Sequence, residues 1–188
     1  MAKDDNMLLS WLRDAHAMEK SAESILEKQV KSLEDYPQVK NKVNEHLQTT
    51  RNQAQRIKGC IEQLGGDTSK VKEMVGKFTG AMQAFGAAGA DDEVVKAGIS
   101  NYSFECMEIA SYRSLIAAAE VYGEPEIKQV CQDILAEEEE MANWLENNIP
   151  DVTRDYLSKK GVSVEAMGKK PTSKPGPERR GEQPRPRA

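Results

Sequence analysis

Two glutamates on one predicted helix are the residues best placed to do chemistry. Glu105 and Glu108 are three positions apart, so their side chains lie next to each other on one helix face. Tyr112 and Leu115 continue that face and predict that it is buried. Two neighbouring buried carboxylates lose their hydration and repel each other, so one must bind a proton unless a cation compensates both. The pair therefore indicates a metal site, provided that other helices bring similar groups to the same depth.

Three further predicted helices carry polar groups in the middle of an otherwise apolar stripe. Each stripe follows alternating steps of four and three residues, the spacing with which a helix faces its neighbours in a bundle. The central positions are Glu19 on helix 1, His46, Thr50 and Gln53 on helix 2, and Glu138 on helix 4. In an antiparallel bundle these midpoints meet the two helix 3 glutamates in one layer. Carboxylate oxygens with an imidazole nitrogen suit iron or manganese.

The residues of this layer divide into two predicted sets. The predicted metal ligands are Glu19, His46, Glu105, Glu108 and Glu138. The residues predicted to hydrogen-bond these ligands are His16, Gln53 and Tyr112. The sequence assigns no catalytic residue. Two interpretations stay open for His46, as a nitrogen ligand or as a hydrogen-bonding group, and Glu19 taken alone would also suit a side chain that reaches the surface.

The same stripes predict the four long helices that position these groups. Their bounds are about Asp4 to Glu34, Pro37 to Leu64, Asp92 to Tyr122 and Pro125 to Asn148. Short links join helices 1–2 and 3–4, and residues 67–91 form a long crossover with a helix of its own. Pro150 is predicted to end helix 4, because proline cannot donate a backbone hydrogen bond. The fold class is all-α: an antiparallel four-helix bundle with one long crossover, the topology of ferritin-like folds.

The chain is predicted to have three parts. Residues 1–150 form the bundle, residues 151–167 a short helical extension, and residues 168–188 a disordered, basic, proline-rich tail. The 188-residue chain has a net charge of −5, whereas the tail carries seven Lys or Arg and two Glu. An acidic body argues against nucleic-acid binding by the bundle. The tail is predicted to make only weak, non-specific contacts with anionic partners.

The cysteines and the first residues indicate the compartment. Cys60, Cys106 and Cys131 lack metal-type spacing and are predicted to be buried, reduced thiols. The first residues lack a signal-peptide pattern, and no apolar run is long enough to span a membrane. The predicted location is the cytoplasm. Because ferritin-like bundles often dimerise along a helix face, a homodimer is predicted, with Trp11 or Trp144 marking the contact.

Four segments resemble the YciE/YciF-type ferritin-like proteins, in the same order along about residues 5–150. They are Leu12–Lys20, His46–Gln53, Glu105–Tyr112 and Leu135–Glu140, of which Glu-x-x-Glu-Ile-Ala-x-Tyr is the most specific. The resemblance implies a ferritin-like four-helix domain, a dinuclear metal centre and an association with stress responses. The chain departs from the family pattern at Gln48 and Thr49, where the family carries glutamates after the histidine, and at Met141 and Ala142 on helix 4.

Two functions follow from these observations. The first is a stress-associated protein with an iron or manganese site that handles peroxide or dioxygen. The alternative is a non-enzymatic helical stress protein with a degenerate metal site, acting through oligomerisation or partner binding. The departures from the family pattern favour this alternative. Whether the protein binds metal distinguishes the two functions.

Overall fold

Four helices account for most of the chain that the structure, a computed structural model, describes: residues 6–68, 75 and 91–163. The helices are α1 (Met7–Ser32), α2 (Pro37–Gln63), α3 (Glu93–Tyr122) and α4 (Pro125–Lys159). Those ranges contain no strand, so the predicted all-α class and helix order are confirmed. The tail 168–188 and, apart from Val75, the predicted crossover helix lie outside the described residues.

Local chemistry sets the helix ends. Asn6 caps α1, because its side-chain oxygen accepts the backbone N–H of Leu9 at 3.2 Å. Pro37 and Pro125 occupy the first turns of α2 and α4, where a missing N–H costs no helical hydrogen bond. Gly123 ends α3 at a φ of 71°, a left-handed conformation that glycine adopts without strain. The short link that follows keeps α3 and α4 as antiparallel neighbours.

Contacts between the two hairpins show how the bundle is assembled. The amides of Gln29 on α1 and Asn101 on α3 donate to each other at 3.0 and 2.9 Å. Towards the other end of the same pair, the Met7 N–H donates to the Tyr122 hydroxyl at 3.2 Å. α1 and α3 are therefore antiparallel, and α2 packs against α4. α2 and α3 consequently run parallel, which requires a long crossover and confirms the predicted ferritin-like topology.

Two apolar clusters fill the bundle, and the buried carboxylates lie near their junction. The larger cluster includes Leu8, Leu12, Ile57, Ile61, Leu115, Ile127 and Ile134, and the smaller one includes Leu26, Leu33, Val43, Leu47 and Val94. These layers exclude water from the polar groups between them, which strengthens the electrostatic interactions there. None of the helices in the described ranges is long and apolar enough to cross a membrane.

The prediction that Pro150 ends helix 4 was wrong, because α4 continues through it to Lys159. Val152 and Tyr156 extend the apolar face and pack against the smaller cluster. Pro150 itself is exposed, so water can hydrogen-bond the carbonyl that lacks a donor one turn earlier. Packing of the apolar face thus outweighs the local cost of the proline.

Two of the three cysteines are buried, as predicted. Cys60 and Cys131 lie in the larger cluster, and burial raises the pKa of these thiols to about 11 and about 12. Cys106 is exposed, so its predicted burial was wrong. It follows Glu105 on α3, and each residue of a helix is turned about 100° from the one before it. A residue next to a buried position is therefore easily turned out to solvent.

Replacing Pro150 tests the continuity of α4. We expect Pro150→Ala to raise the free energy of unfolding by roughly 1–3 kcal/mol, because proline inside a helix is up to about 3 kcal/mol less favourable than alanine. Pro125→Ala is the matched control and should stay within about 0.5 kcal/mol, since the first turn tolerates proline. Urea unfolding followed by circular dichroism measures both. Equal stabilities of the two variants would contradict a helix that continues through residue 150.

Candidate metal centre

Three buried side chains from three helices come together in the bundle. His46 on α2, Glu105 on α3 and Glu138 on α4 each offer one donor atom, and these atoms lie within 4.8 Å of one another. His46 Nε2 is 3.1 Å from Glu105 Oε1. All three side chains are buried. One nitrogen and two oxygens are therefore gathered where a single cation could contact them.

Two more buried carboxylates lie close to these three side chains. Glu19 on α1 and Glu108 on α3 are buried, and the hydroxyl of Tyr112 donates to Glu19 Oε1. Burial, followed by the charge of Glu138, raises the pKa of both carboxyl groups well above the ordinary value. The five side chains predicted as ligands thus lie close enough for their charges to act on one another. We call these five residues, Glu19, His46, Glu105, Glu108 and Glu138, the carboxylate layer.

Burial decides the protonation of the carboxylate layer in the absence of metal. It raises the pKa of Glu105 to about 7. Burial also raises the pKa of Glu138 well above its ordinary value, and the charge of Glu105 adds to the effect. The pKa of His46 is lowered by burial. Burial therefore favours neutral acids and a neutral imidazole in the metal-free layer, the charge state that costs least in a dry interior.

Several oxygens of the carboxylate layer have no hydrogen-bond partner among the described residues. With every carboxyl group taken as ionised, these are Glu19 Oε2, Glu105 Oε2, Glu108 Oε1 and both carboxyl oxygens of Glu138. A proton on Glu138 allows it to donate to Glu105, so this pair compensates part of its own burial. A buried polar atom without a partner costs about 1–3 kcal/mol. Several such atoms in one layer are unfavourable together, and a cation bound between His46, Glu105 and Glu138 would compensate part of them. The residues present therefore fit a metal ion held by oxygen and nitrogen donors.

The polar residues around this layer differ in what they contact. Tyr112 donates to Glu19 and so orients one carboxyl group. His16 is buried one turn before Glu19, its Nδ1 has no partner within the described ranges, and burial lowers its pKa. Thr50 donates to the backbone carbonyl of His46 at 3.0 Å, so its hydroxyl is used within α2. Of these three, Tyr112 has the direct hydrogen bond to a carboxylate of the layer.

A polar contact beside the layer was not found from the sequence. Gln53 donates through Nε2 to Glu137 Oε2 at 3.0 Å, and the Arg56 guanidinium binds the same oxygen. Neither Arg56 nor Glu137 was assigned a role. The sequence contains one indication of this contact: Arg56 lies three residues after Gln53, so the two side chains share one face of α2. Its partner on α4 depends on how the two helices are rotated about their axes, which the stripes do not specify.

The departures from the family pattern fall in two environments. Gln48 is exposed, and Thr49 is half-buried with its hydroxyl directed to the backbone of its own helix. Met141 and Ala142 are buried on α4 and bring no oxygen to the carboxylate layer. α4 therefore offers Glu138 to the layer, and a thioether occupies the position one turn later.

Comparison with known proteins agrees with the fold. A family model described as a domain of unknown function (DUF892) matches residues 3–158. A crystal structure of a protein from Xanthomonas campestris pv. campestris is similar to this chain, with 34% sequence identity and a TM-score of 0.71. The similarity covers 86% of this chain and 99% of that protein. The family match includes every residue of the carboxylate layer, so the layer lies within the part that the family shares.

The raised carboxyl pKa values predict how the stability of the metal-free protein changes with pH. Unfolding lets these acids ionise near their ordinary value of 4.5, whereas in the folded protein Glu105 ionises only near pH 7 and Glu138 well above its ordinary value. Their contribution to stability is therefore complete below about pH 4.5 and is lost as pH rises. The lowered histidine pKa values act in the opposite direction, but only below about pH 6.5.

We therefore expect the melting temperature of the metal-free protein to fall as pH rises from about 4.5 through about 7, most clearly above pH 6.5, where the histidines no longer oppose the trend. The free energy of unfolding should drop by about 1.4 kcal/mol per pH unit for each acid that stays protonated in the folded state. Differential scanning calorimetry in the presence of a chelator measures the trend. Glu138→Gln, which cannot ionise, should flatten it. A melting temperature that rises over this range would contradict neutral, buried acids.

Proposed function

The chain belongs to the family described as a domain of unknown function (DUF892), and we propose that it is a metal-dependent stress protein. In this proposal the carboxylate layer binds iron or manganese, and the bound metal serves to remove peroxide or dioxygen. The observation that carries the proposal is the gathering of donor atoms from His46, Glu105 and Glu138 within 4.8 Å of one another. Their burial in a layer with unpaired oxygens supports it further.

The chemistry of the donors favours iron or manganese. Carboxylate oxygens are hard ligands, and imidazole suits first-row transition metals. The thiols Cys60 and Cys131 belong to the larger apolar cluster, and burial keeps their pKa high, so they do not add soft ligands to the layer. Iron or manganese bound there would supply the change of oxidation state that peroxide or dioxygen reduction needs.

Each side chain of the layer has a proposed role. Glu105 and Glu138 would be the main carboxylate ligands, Glu19 and Glu108 would add further oxygens, and His46 would supply nitrogen. Tyr112 holds one oxygen of Glu19 and leaves the other free for the cation. The apolar clusters above and below keep bulk water out. Because burial raises the carboxyl pKa values, a cation competes with protons for these groups, and affinity should increase with pH.

Several finer points stay predictions within this proposal. They are the YciE/YciF resemblance, the association with stress, the cytoplasmic location and the homodimer. The half-exposed ring of Trp11, 41% accessible, is available for a contact between copies. The alternative function, a helical stress protein with a degenerate metal site, makes the opposite prediction about metal content.

Elemental analysis of protein purified without a metal-scavenging tag tests the proposal. We expect one to two iron or manganese atoms per chain, the number that a mononuclear or dinuclear site holds. Glu138→Gln should lower metal affinity by about tenfold or more, because it removes a charged donor while keeping the side-chain shape. Glu140→Gln is the matched control on the same helix, since the Glu140 side chain is 77% accessible. It should bind metal like the wild-type protein.

The stability of the metal-free protein provides a second test of the proposal. A metal present at 100 times its dissociation constant should add about 2.7 kcal/mol to the free energy of unfolding. Chelator treatment should therefore lower the melting temperature. If the protein holds no metal even after anaerobic loading with iron(II) or manganese(II), and chelators leave its melting temperature unchanged, the metal-dependent function is wrong and the alternative is favoured.

A further inference from the structure

Gln53 is a fully buried amide that neither the fold nor the carboxylates explain. Its side chain is 0% accessible. It lies two helical turns after His46 on the inward stripe of α2, between the helix that carries Glu19 and the helix that carries Glu138. A buried amide is costly unless both of its ends are hydrogen-bonded. The two ends of this amide have different surroundings.

The nitrogen end of Gln53 has a partner that determines the orientation of the amide. Nε2 donates to Glu137 Oε2 at 3.0 Å. Arg56 binds the same carboxylate oxygen, and a carboxylate paired with a guanidinium can only accept hydrogen bonds. The amide nitrogen must therefore face Glu137, because the reverse orientation would place two acceptor oxygens together. The carbonyl end must face the other way.

The carbonyl end of Gln53 differs from the nitrogen end. Oε1 is buried and accepts no hydrogen bond from the described residues. Glu138, the residue after its partner Glu137, is buried in the carboxylate layer. The charge of Arg56, one turn from Gln53, reaches Glu19 and lowers the pKa of that carboxyl group against the effect of burial.

The contact of His46 with Glu105 sets the register of the parallel helices α2 and α3. Gln53 is seven residues after His46, and Tyr112 is seven residues after Glu105. Gln53 therefore lies at about the level of Tyr112, and the Tyr112 hydroxyl donates to Glu19.

We propose that Gln53 Oε1 is a neutral oxygen ligand of the cation, and that Glu137 and Arg56 are positioning residues that keep this oxygen, rather than the amide nitrogen, towards the metal. The inference rests on the proposed metal-binding function and adds a donor to it. An amide oxygen is a hard ligand without charge. It completes the coordination of a metal without adding one more negative charge to a layer that already holds four carboxyl groups.

The first experiment compares Gln53→Leu with Thr50→Val. Both replace a buried polar side chain on the same face of α2 by an apolar one of similar size, and the Thr50 hydroxyl is already used within its helix. The probe is manganese(II) or anaerobic iron(II), whichever the wild-type protein binds, titrated against a competing chelator. We expect affinity to fall by about tenfold in Gln53→Leu and to stay unchanged in Thr50→Val.

The melting temperature of the metal-free variants separates a ligand from a structural residue. Gln53→Leu removes an unpaired buried oxygen, and Arg56 still satisfies Glu137. Its metal-free melting temperature should therefore stay within about 3 °C of the wild-type value or rise. A purely structural role predicts the reverse, a lower melting temperature with unchanged metal affinity, and that result would overturn the inference.

The second experiment tests the positioning residues. Glu137→Gln supplies an amide that can donate as well as accept, so it no longer forces the Gln53 nitrogen towards it. We expect severalfold weaker metal binding, and no further loss when Gln53→Leu is combined with it, because both changes act through one oxygen. Glu139→Gln removes a neighbouring charge, paired with Arg113 on the surface, and should leave affinity unchanged.

The outcomes distinguish this inference from the function on which it rests. A wild-type protein that binds neither metal overturns both. A wild-type protein that binds metal with the same affinity as Gln53→Leu overturns the ligand role of Gln53 and leaves the proposed function intact. Additive losses in the Gln53→Leu, Glu137→Gln double variant would overturn the positioning role.

Discussion

The protein depends on placing several carboxyl groups in a dry layer between two apolar clusters. Charges removed from water are costly, and like charges at close range raise that cost. The folded chain compensates in three ways: protons on the acids, a tyrosine hydroxyl on Glu19, and a neutral imidazole beside Glu105. When the acids are ionised, five carboxyl oxygens of the layer have no hydrogen-bond donor among the described residues. The stability of the bundle and its capacity to bind a cation are therefore two aspects of one arrangement.

The helix pairs keep this layer together from both sides. The amide pair between Gln29 and Asn101 holds α1 against α3 on the side of the smaller cluster. The contact of Gln53 and Arg56 with Glu137 holds α2 against α4. Since these two interfaces join the hairpins, a shift of either hairpin would separate the donor atoms. Both polar contacts therefore help to keep the donor atoms together.

Much of the fold and the depth of the acidic residues could be predicted from local periodicity. A stripe with steps of four and three specifies which side chains face inward, and this placed Glu19, His46, Glu105, Glu108 and Glu138 in the interior. Periodicity does not specify how far each helix is rotated against its neighbours. The contact of Arg56 with Glu137 and the exposure of Cys106 depend on that rotation, and both were missed. The prediction that helix 4 ends at Pro150 failed for another reason. The local cost of proline in a helix was outweighed by packing of the apolar face beyond it.

The carboxylate layer draws on all four helices, and this has a consequence for its assembly during synthesis. Glu19 and His46 leave the ribosome first, Glu105 and Glu108 follow after the long crossover, and Glu138 on α4 comes last. A nascent chain without α4 lacks the last donor and cannot yet bury the earlier acids, which stay hydrated and charged. The layer closes only when the second hairpin docks. If the layer binds a cation as proposed, uptake follows the completion of α4, because a chain that stops before α4 lacks Glu138 and the helix that covers the other acids.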